Sequence, residues 1–297
     1  MKKENFGQHT CMACDGDSFS EFLQTEDYFL SHELFTLLKC DNCGLLCTLP
    51  CPNPETIGSY YNSSEYTSHN SQQRSLKNIL YRRARKIALG RKLAMIEKHV
   101  KTGKILDIGA GTGDFLAFCK AKGWNVAGIE PNSFARELAK INHGLELAVN
   151  DTVLEKDGVF NVISLWHVLE HLHDPLEKLF YYSGLLKPNG ILVLALPNYE
   201  SWDANHYGKY WAAYDVPRHL FHFSKASVEK LSAKAGFGIA EIRPLKLDAY
   251  YISLLSEKYA NGKMNYFSAF LNGLRSNRFA GKGVFGYSSW VYVLKKI

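Results

Sequence analysis

Cysteines are concentrated at the start of this chain, where their spacing is typical of metal ligands. Six of the seven lie within the first 51 residues, and four of them form two Cys-x-x-Cys pairs. Two such pairs can bring four thiolates to one tetrahedral Zn²⁺, and four protein ligands leave no position for water. The sequence therefore predicts a structural zinc site made of Cys11, Cys14, Cys40 and Cys43.

Two further cysteines, Cys47 and Cys51, follow the second pair. With Cys40 and Cys43 they form a run that an iron–sulfur cluster could also use. The alternation of residues around Cys47 is instead typical of a small buried apolar side chain. The sequence leaves the role of Cys47 and Cys51 open.

Three glycines, Gly109, Gly111 and Gly113, separate an apolar segment from a predicted helix. Glycine lets a backbone turn tightly and approach a ligand closely at the carboxyl edge of a sheet. Asp107 precedes this loop, and Glu130 follows it by about 20 residues, where a carboxylate can accept hydrogen bonds from both hydroxyls of a ribose. S-adenosylmethionine has an ammonium group and no pyrophosphate, so an acidic residue beside the loop suits it better than a dinucleotide. The alternatives are an NAD enzyme in which Glu130 caps a helix, and a ligand-free Rossmann domain.

Four motifs resemble those of class I S-adenosylmethionine-dependent methyltransferases, most closely the branch that includes the ubiquinone-biosynthesis O-methyltransferases. They are LDIGAGTG at 106–113, GIEP at 128–131, WHVLEHLHDP at 166–175 and LLKPNG at 185–190. The resemblance covers about residues 103–237, nearly half of the chain.

The resemblance also implies which residues bind the cofactor. Asp107 and the glycine loop would face its methionine part, Glu130 the ribose, 150–151 the adenine and 166–167 the region beside the sulfonium. The full implied set is Asp107, Gly109, Ala110, Gly111, Gly113, Glu130, Pro131, Asn150, Asp151, Trp166 and His167.

Ionisable side chains cluster at two places beyond the predicted cofactor strands. One cluster is His167, Glu170 and His171, whose two histidines share a helix face; the other is a polar and aromatic loop at 211–223. Methyl transfer requires alignment of the acceptor and, for oxygen or carbon, removal of a proton. We predict four catalytic residues: His219 as the proton acceptor, Tyr214 and Asp215 as residues that place the substrate, and His171 as the second candidate base. For each histidine alone, a structural hydrogen-bonded role fits equally well.

Short apolar runs alternate with helical segments from residue 103 onward, which predicts a doubly wound, mostly parallel sheet. The runs at 104–108, 124–130, 162–166 and 191–195 are predicted strands, and a late strand pair is predicted near 238–245 and 290–295. The predicted fold class is α/β: a Rossmann-like, doubly wound, seven-stranded methyltransferase sheet with a small N-terminal zinc-binding β module.

We predict three segments: a zinc-ribbon-like module at 1–55, a connector and bridging helix at 56–100, and a methyltransferase domain at 101–297. A helical insertion is expected at about 250–280, where it could cover the acceptor site or form a homodimer contact. The connector residues Tyr61, Tyr66 and His69 could either fold over the cofactor or pack structurally.

Composition limits the function further. The 297 residues are 46% hydrophobic with a net charge of +6, as in ordinary globular proteins. The longest apolar run, at 191–197, is far shorter than the roughly 20 residues of a membrane span, so no span and a cytoplasmic location are expected. Nucleic acid is disfavoured as a partner because the cysteine segment is poor in Lys and Arg and 196–198 reads Leu-Pro-Asn rather than Asn-Pro-Pro-Tyr.

The predicted function is methyl transfer from S-adenosylmethionine to oxygen or carbon of a small-molecule acceptor. The alternatives are an RNA methyltransferase that binds RNA through the zinc module and a non-catalytic cofactor-binding protein. The sequence does not identify the acceptor.

Overall fold

The computed structural model of the protein describes residues 10–61, 76–151 and 159–297; within 76–85 it describes the backbone only. The strands are Phe19–Glu26 (β1), Leu34–Cys40 (β2), Leu46–Leu49 (β3), Lys104–Ile108 (β4), Asn125–Ile129 (β5), Phe160–Trp166 (β6), Leu186–Pro197 (β7), Phe221–His222 (β8), Phe237–Pro244 (β9) and Ser289–Lys296 (β10). The helices are Leu76–Ile96 (α1), Asp114–Lys120 (α2), Ser133–His143 (α3), Pro175–Leu185 (α4), Trp202–Tyr207 (α5), Lys225–Lys234 (α6), Asp248–Asn261 (α7) and Tyr266–Gly281 (α8).

The larger sheet has the order β5-β4-β6-β7-β10-β9. Its first four strands are parallel, and β10 pairs antiparallel with both β7 and β9. Apolar side chains alternate between its faces: Leu106 and Ile163 pack on one side, and Ile105 and Val162 on the other. Helices cover both faces, as a parallel sheet requires. The predicted Rossmann-like α/β class is confirmed.

At the outer edge of β5, strand pairing is reduced to one residue. Ala148 alone pairs with β5, donating to Gly128 O at 2.9 Å and accepting from Glu130 N at 2.9 Å. The chain bends at 149–150, so the pairing stops there. Within the described residues the sheet therefore has six strands, rather than the seven that were expected.

A smaller sheet has the order β1-β2-β3-β8 and joins the N-terminal segment to the methyltransferase region. Cys47 pairs with Phe221 and Leu46 with His222, and Thr48 N donates to Leu220 O at 3.0 Å. The predicted catalytic loop is thereby fixed to the cysteine-containing segment. The division of the chain at residues 55 and 100 stays a prediction.

The region of the predicted helical insertion consists of the two helices α7 and α8, which lie between β9 and β10 in the chain. Gly273 permits their close approach, because a Cβ at this position would lie only 2.9 Å from the Cα of Tyr250. In the part of the chain that the structure describes, no helix is long and apolar enough to cross a bilayer.

Candidate functional site

The glycine loop lies directly after β4, at the carboxyl edge of the parallel strands. Gly109, Gly111 and Gly113 have φ values of 69°, 54° and 75°, a region that favours glycine. A Cβ on Gly109 would lie 2.5 Å from a methyl group of Val168. The glycines thus keep the loop backbone tightly turned, and the Ala110 amide anchors it to Ile129 O at 2.9 Å.

Glu130 follows β5 and is buried beside this loop. Its Oε2 accepts from Gly111 N at 2.8 Å and its Oε1 from Asn132 N at 2.9 Å. Arg136 donates to the carbonyl oxygens of Glu130 and Pro131 at 2.8 and 2.7 Å. A carboxylate has about four acceptor positions, so Glu130 retains capacity for two ribose hydroxyls while it orders the loop.

Asp107 is a buried carboxyl group inside β4. Ser164 Oγ donates to its Oδ1 at 2.5 Å. Burial raises the pKa of Asp107 to about 7, against the opposing effects of Ser164 and of the Lys92 ammonium. A ligand cation beside Asp107 would favour its charged form.

Lys92 was not anticipated from the sequence, where it is one of several basic residues in α1. Its Nζ lies 3.9 Å from the centroid of the Trp166 ring, a cation–π contact. Burial lowers the pKa of Lys92, and the nearby Asp107 and Asp248 oppose that effect. Trp166 Nε1 is buried and has no hydrogen-bond partner among the described residues. The edge of the sheet therefore offers two carboxylates, Asp107 and Glu130, which fit the ammonium group and the ribose hydroxyls of S-adenosylmethionine, and it also holds one unused N–H donor.

His167 connects the end of β6 to helix α7. Its backbone has a φ of 58°, its Nε2 lies 3.0 Å from Asp248 Oδ2, and its Nδ1 lies 3.5 Å from Glu170 Oε1. Burial acts to lower the pKa of His167, but Asp248 and Glu170 outweigh it and raise the pKa to about 10. His167 is therefore an imidazolium at neutral pH and cannot serve as a base there.

Glu170, His171 and His219 form a cluster close to Val168, whose side chain packs on Gly109 of the glycine loop. Neither carboxylate oxygen of Glu170 has a hydrogen-bond partner among the described residues. One ligand atom from each residue lies within 4.8 Å of the others, and the two imidazole rings are 4.6 Å apart. Burial acts to raise the pKa of Glu170, but His167 and the other two histidines lower it further than burial raises it. An ionised carboxylate beside two imidazoles can move a proton or hold a divalent cation.

The tautomers of the two histidines follow from their Nδ1 contacts. His219 Nδ1 lies 2.9 Å from Ala213 O, and His171 Nδ1 lies 2.9 Å from Arg218 O and 3.0 Å from the Tyr61 hydroxyl. A carbonyl oxygen only accepts, so each Nδ1 carries the proton and each Nε2 is an acceptor when the ring is neutral. Burial lowers the pKa of His171 to about 4, with a further contribution from His219.

Tyr214 and Asp215 lie on the other side of this loop. Asp215 accepts from Arg218 Nη2 at 2.8 Å and Nε at 3.0 Å, and the same guanidinium donates to buried Asp27 at 2.7 Å. Tyr214 is buried with its ring 5.0 Å from Trp211, and burial raises its pKa. The Tyr214 ring lies 5.6 Å from the ring of His222 in β8, and the Asp215 carbonyl oxygen accepts from His219 N at 3.0 Å.

The residues expected near the adenine, Asn150 and Asp151, lie at the end of the described range 76–151. Asp151 accepts from Lys178 Nζ at 2.6 Å, and its carbonyl oxygen accepts from the Tyr181 hydroxyl at 2.9 Å. Asn150 is exposed beside it. Tyr66 and His69, named above as connector residues that could cover the cofactor, lie outside the described residues.

The four N-terminal thiols converge on one point. Cys11 Sγ lies 3.5 Å from Cys43 Sγ, Cys14 Sγ lies 3.6 Å from Cys40 Sγ, and all four sulfurs lie within 4.8 Å of one another. A tetrahedral zinc site with Zn–S bonds of about 2.3 Å has sulfurs about 3.8 Å apart. The thiol cluster thus has the dimensions of a zinc site.

The two cysteine turns share one backbone geometry. Asp15 N donates to Cys11 O and Gly44 N to Cys40 O, both at 2.8 Å, and Asp15 and Gly44 have φ values of 59° and 75°. Each turn therefore presents its two thiols in the same way. Cys47 is buried in β3, as its sequence pattern predicts.

Comparisons with known proteins agree with this geometry. A family model described as a methyltransferase domain matches residues 79–242, more than half of the chain. The ubiquinone biosynthesis O-methyltransferase of Colwellia psychrerythraea is 31% identical over 104 residues, 32% of this chain and 42% of that protein. The enzyme of the same description from Actinobacillus pleuropneumoniae serotype 7 is 28% identical over 172 residues, 52% of this chain and 72% of that protein. The chain thus spans less than half of the first relative's length.

Among solved structures, the Burkholderia thailandensis 1,6-didemethyltoxoflavin-N1-methyltransferase, with bound 1,6-didemethyltoxoflavin and S-adenosylhomocysteine, has a TM-score of 0.52 to this protein. The alignment covers 93% of this chain and 99% of that one at 13% identity, so it shows a shared fold. The family match, the shared fold and the glycine loop after β4 together show that the chain belongs to the methyltransferase-domain family, among the S-adenosylmethionine-dependent methyltransferases.

Proposed function

We propose that the protein transfers the methyl group of S-adenosylmethionine to an oxygen or carbon atom of a small molecule, with His219 as the proton acceptor. The observation that carries this proposal is the buried Glu170 carboxylate, which lies beside His171 and His219 without accepting a hydrogen bond from either and is paired with His167 at 3.5 Å. A buried ionised carboxylate with unused acceptor positions is costly. It is useful where a neighbouring imidazole becomes charged during the reaction.

The donor side of the site has a role for each group. S-adenosylmethionine, when bound, supplies an electrophilic methyl group on its sulfonium. Asp107 pairs with its ammonium group, and Glu130 accepts from the ribose hydroxyls. The glycines let the backbone of the loop approach the ligand closely. Asp151 lies near the expected adenine position. Trp166, at the end of β6, borders the region expected beside the sulfonium.

His219 is the better base of the two histidines in the cluster. Its Nδ1 donates to Ala213 O, so the neutral ring leaves Nε2 free to take a proton. When Nε2 takes the proton of the acceptor, the adjacent Glu170 carboxylate stabilises the imidazolium, as carboxylates do beside other catalytic histidines. The lowered pKa of His171 makes it a weaker base. Tyr214 supports this loop by packing against His222 of β8, and Asp215 supports it by accepting from His219 N.

A phenolic hydroxyl is the first acceptor class to test, because the relatives named above are O-methyltransferases. The experiment incubates the protein with methyl-labelled S-adenosylmethionine and a panel of phenols, catechols and activated carbon acids. We expect labelled product, and we expect His219→Ala to lower turnover by about 10²–10⁴-fold while the affinity for S-adenosylhomocysteine is unchanged.

His206→Ala is the control, since His206 is an exposed histidine outside the cluster that stacks on Trp202 with ring centroids 4.6 Å apart. His206→Ala should keep full turnover. Full turnover in His219→Ala would refute the assignment of the base, and the absence of labelled product from every acceptor class in the panel would count against the acceptor proposal.

We also propose that Cys11, Cys14, Cys40 and Cys43 bind one structural Zn²⁺. Four protein ligands close the coordination sphere, so the ion would stabilise the fold instead of taking part in methyl transfer. β3 carries this effect into the catalytic loop through its pairing with β8. Cys47 lies in the core and is not needed as a ligand.

A further inference from the structure

Helix α8 presents large apolar side chains to solvent. Phe267, Phe270 and Leu274 are 74%, 57% and 47% exposed, and they follow the i, i+3, i+7 spacing of one helix face. Tyr266, next to them, is 70% exposed. We call Tyr266, Phe267, Phe270 and Leu274 the aromatic face.

The opposite side of α8 packs on the protein through small and polar residues. Ala269, Asn272, Gly273, Ser276 and Ala280 are the buried members of this helix. A surface helix normally buries its large apolar residues and exposes its polar ones. The reversed arrangement in α8 means that the aromatic face does not contribute to the internal core.

The chain segment that contains the aromatic face carries charge of one sign. The chain has no aspartate or glutamate from Lys258 to Ile297, while it has seven Lys and Arg residues there. Four of them are exposed on or next to α8: Lys263, Arg275, Arg278 and Lys282. The nearest acidic residue before this segment, Glu257, is buried and accepts a hydrogen bond from Tyr207 at 3.0 Å.

We propose that the aromatic face of α8 docks on an anionic lipid bilayer surface, with the helix lying in the headgroup region. An interfacial helix combines exposed aromatic and leucine side chains with basic residues in this way, and acidic headgroups supply the missing countercharge. A second copy of the chain fits less well, because a two-fold interface would place the same basic residues opposite each other. Nucleic acid would match the charge but leave the aromatic face uncovered.

The α7–α8 hairpin also contacts the candidate active site. Asp248, at the start of α7, lies 3.0 Å from His167. Gly273 and Tyr250 pack α8 closely against α7. Lipid contact at α8 would therefore be made by the same hairpin that borders the cofactor edge.

The test is flotation of the full-length protein with phosphatidylcholine vesicles and with vesicles that also contain phosphatidylglycerol. We expect binding only to the phosphatidylglycerol vesicles. The double variant Phe267→Ser, Phe270→Ser should reduce partitioning at least roughly tenfold, because it removes the apolar contacts. Arg275→Gln, Arg278→Gln should reduce it by roughly 30-fold, since each basic residue near an anionic surface adds about 1 kcal/mol.

The matched control is Leu34→Ser, Ile141→Ser, which removes two side chains that are equally exposed, at 70% and 69%, but lie elsewhere on the protein. This variant should float like the wild type. Light scattering on the same protein samples measures whether the protein is a monomer or a dimer. Wild-type binding by the Phe267→Ser, Phe270→Ser variant, or no flotation of the wild type, would overturn the proposal. A wild-type dimer that Phe267→Ser, Phe270→Ser converts to monomer, without lipid binding, would assign the face to a second copy.

Discussion

Cofactor affinity should depend on pH through Asp107. The buried carboxyl has a pKa of about 7 in the ligand-free protein because burial disfavours its charge. The ammonium group of the cofactor binds the ionised form, so binding below pH 7 must also remove a proton from Asp107. The affinity should rise with pH up to about 7 and change little just above it.

The size of this effect follows from the same pKa. One pKa unit corresponds to 1.36 kcal/mol, so the dissociation constant should increase about tenfold for each pH unit below 7. At pH 5 the binding should be weaker by about 100-fold, or about 2.7 kcal/mol. Asp107→Asn keeps the shape and loses the charge, so its affinity should be low and nearly independent of pH between 5 and 7.

Titration calorimetry with S-adenosylhomocysteine measures this directly, in buffers of different ionisation enthalpy that report the released proton. Ser164→Ala is a useful companion variant, because Ser164 donates to Asp107 and lowers its pKa. Removal of this hydroxyl should move the pH dependence of binding to higher pH. A flat wild-type profile, or the same profile in Asp107→Asn, would refute the role of Asp107 as the partner of the ammonium group.

Three further predictions test other parts of the site. Glu130→Ala should weaken S-adenosylhomocysteine binding by about 1.5–3 kcal/mol, measured by calorimetry, because it removes charge-assisted hydrogen bonds, and wild-type affinity would contradict this. Elemental analysis of protein purified without chelator should find about one zinc per chain, lost in Cys40→Ser, whereas stoichiometric iron would disprove the zinc assignment. Asp27→Asn should destabilise the protein by about 1.5–3 kcal/mol in denaturant unfolding, because it removes one of the two carboxylates that pair with buried Arg218, while Asp15→Asn, an exposed partner of Lys234, should have little effect. Burial acts to raise the pKa of Asp27, but Arg218 lowers it below the value in the unfolded chain. The stability that Asp27 contributes is therefore present above about pH 4 and should be lost as the pH falls further. Equal acid sensitivity in Asp27→Asn would contradict this.

Much of the fold could be predicted because its signals are local. The alternation of apolar residues identified β4, β5 and β6 to within a few residues, and glycine spacing identified the loop after β4. The four clustered cysteines are recognisable because the two ends of a Cys-x-x-Cys turn are fixed by backbone geometry. These features depend on neighbours in sequence.

Features that depend on distant residues were not predictable. Strand β8 has only two residues and pairs with β3 across about 175 positions, so no periodicity indicates it. Lys92 is one basic residue among several in α1, and only the folded structure places it over Trp166. The ion pair of Arg218 with Asp27 joins residues 191 positions apart. The outward aromatic face of α8 likewise becomes apparent only once its small residues are known to pack inward.

The candidate site shows the same division. Asp107 and Glu130 are marked by their spacing from the glycine loop. The different behaviour of the three nearby histidines is not marked by any spacing. Carboxylates raise the pKa of His167, and burial lowers that of His171. His219 is distinguished by the hydrogen bond from its Nδ1 to Ala213 O. Such differences come from contacts that the sequence does not specify.

The most direct test of the proposed site is the crystal structure of the protein with S-adenosylhomocysteine. We predict that the ribose hydroxyls contact Glu130, that the ammonium group contacts Asp107, and that the sulfur faces the cluster of Glu170, His171 and His219. A ligand bound away from the glycine loop, or a sulfur that points away from His219 Nε2, would contradict it.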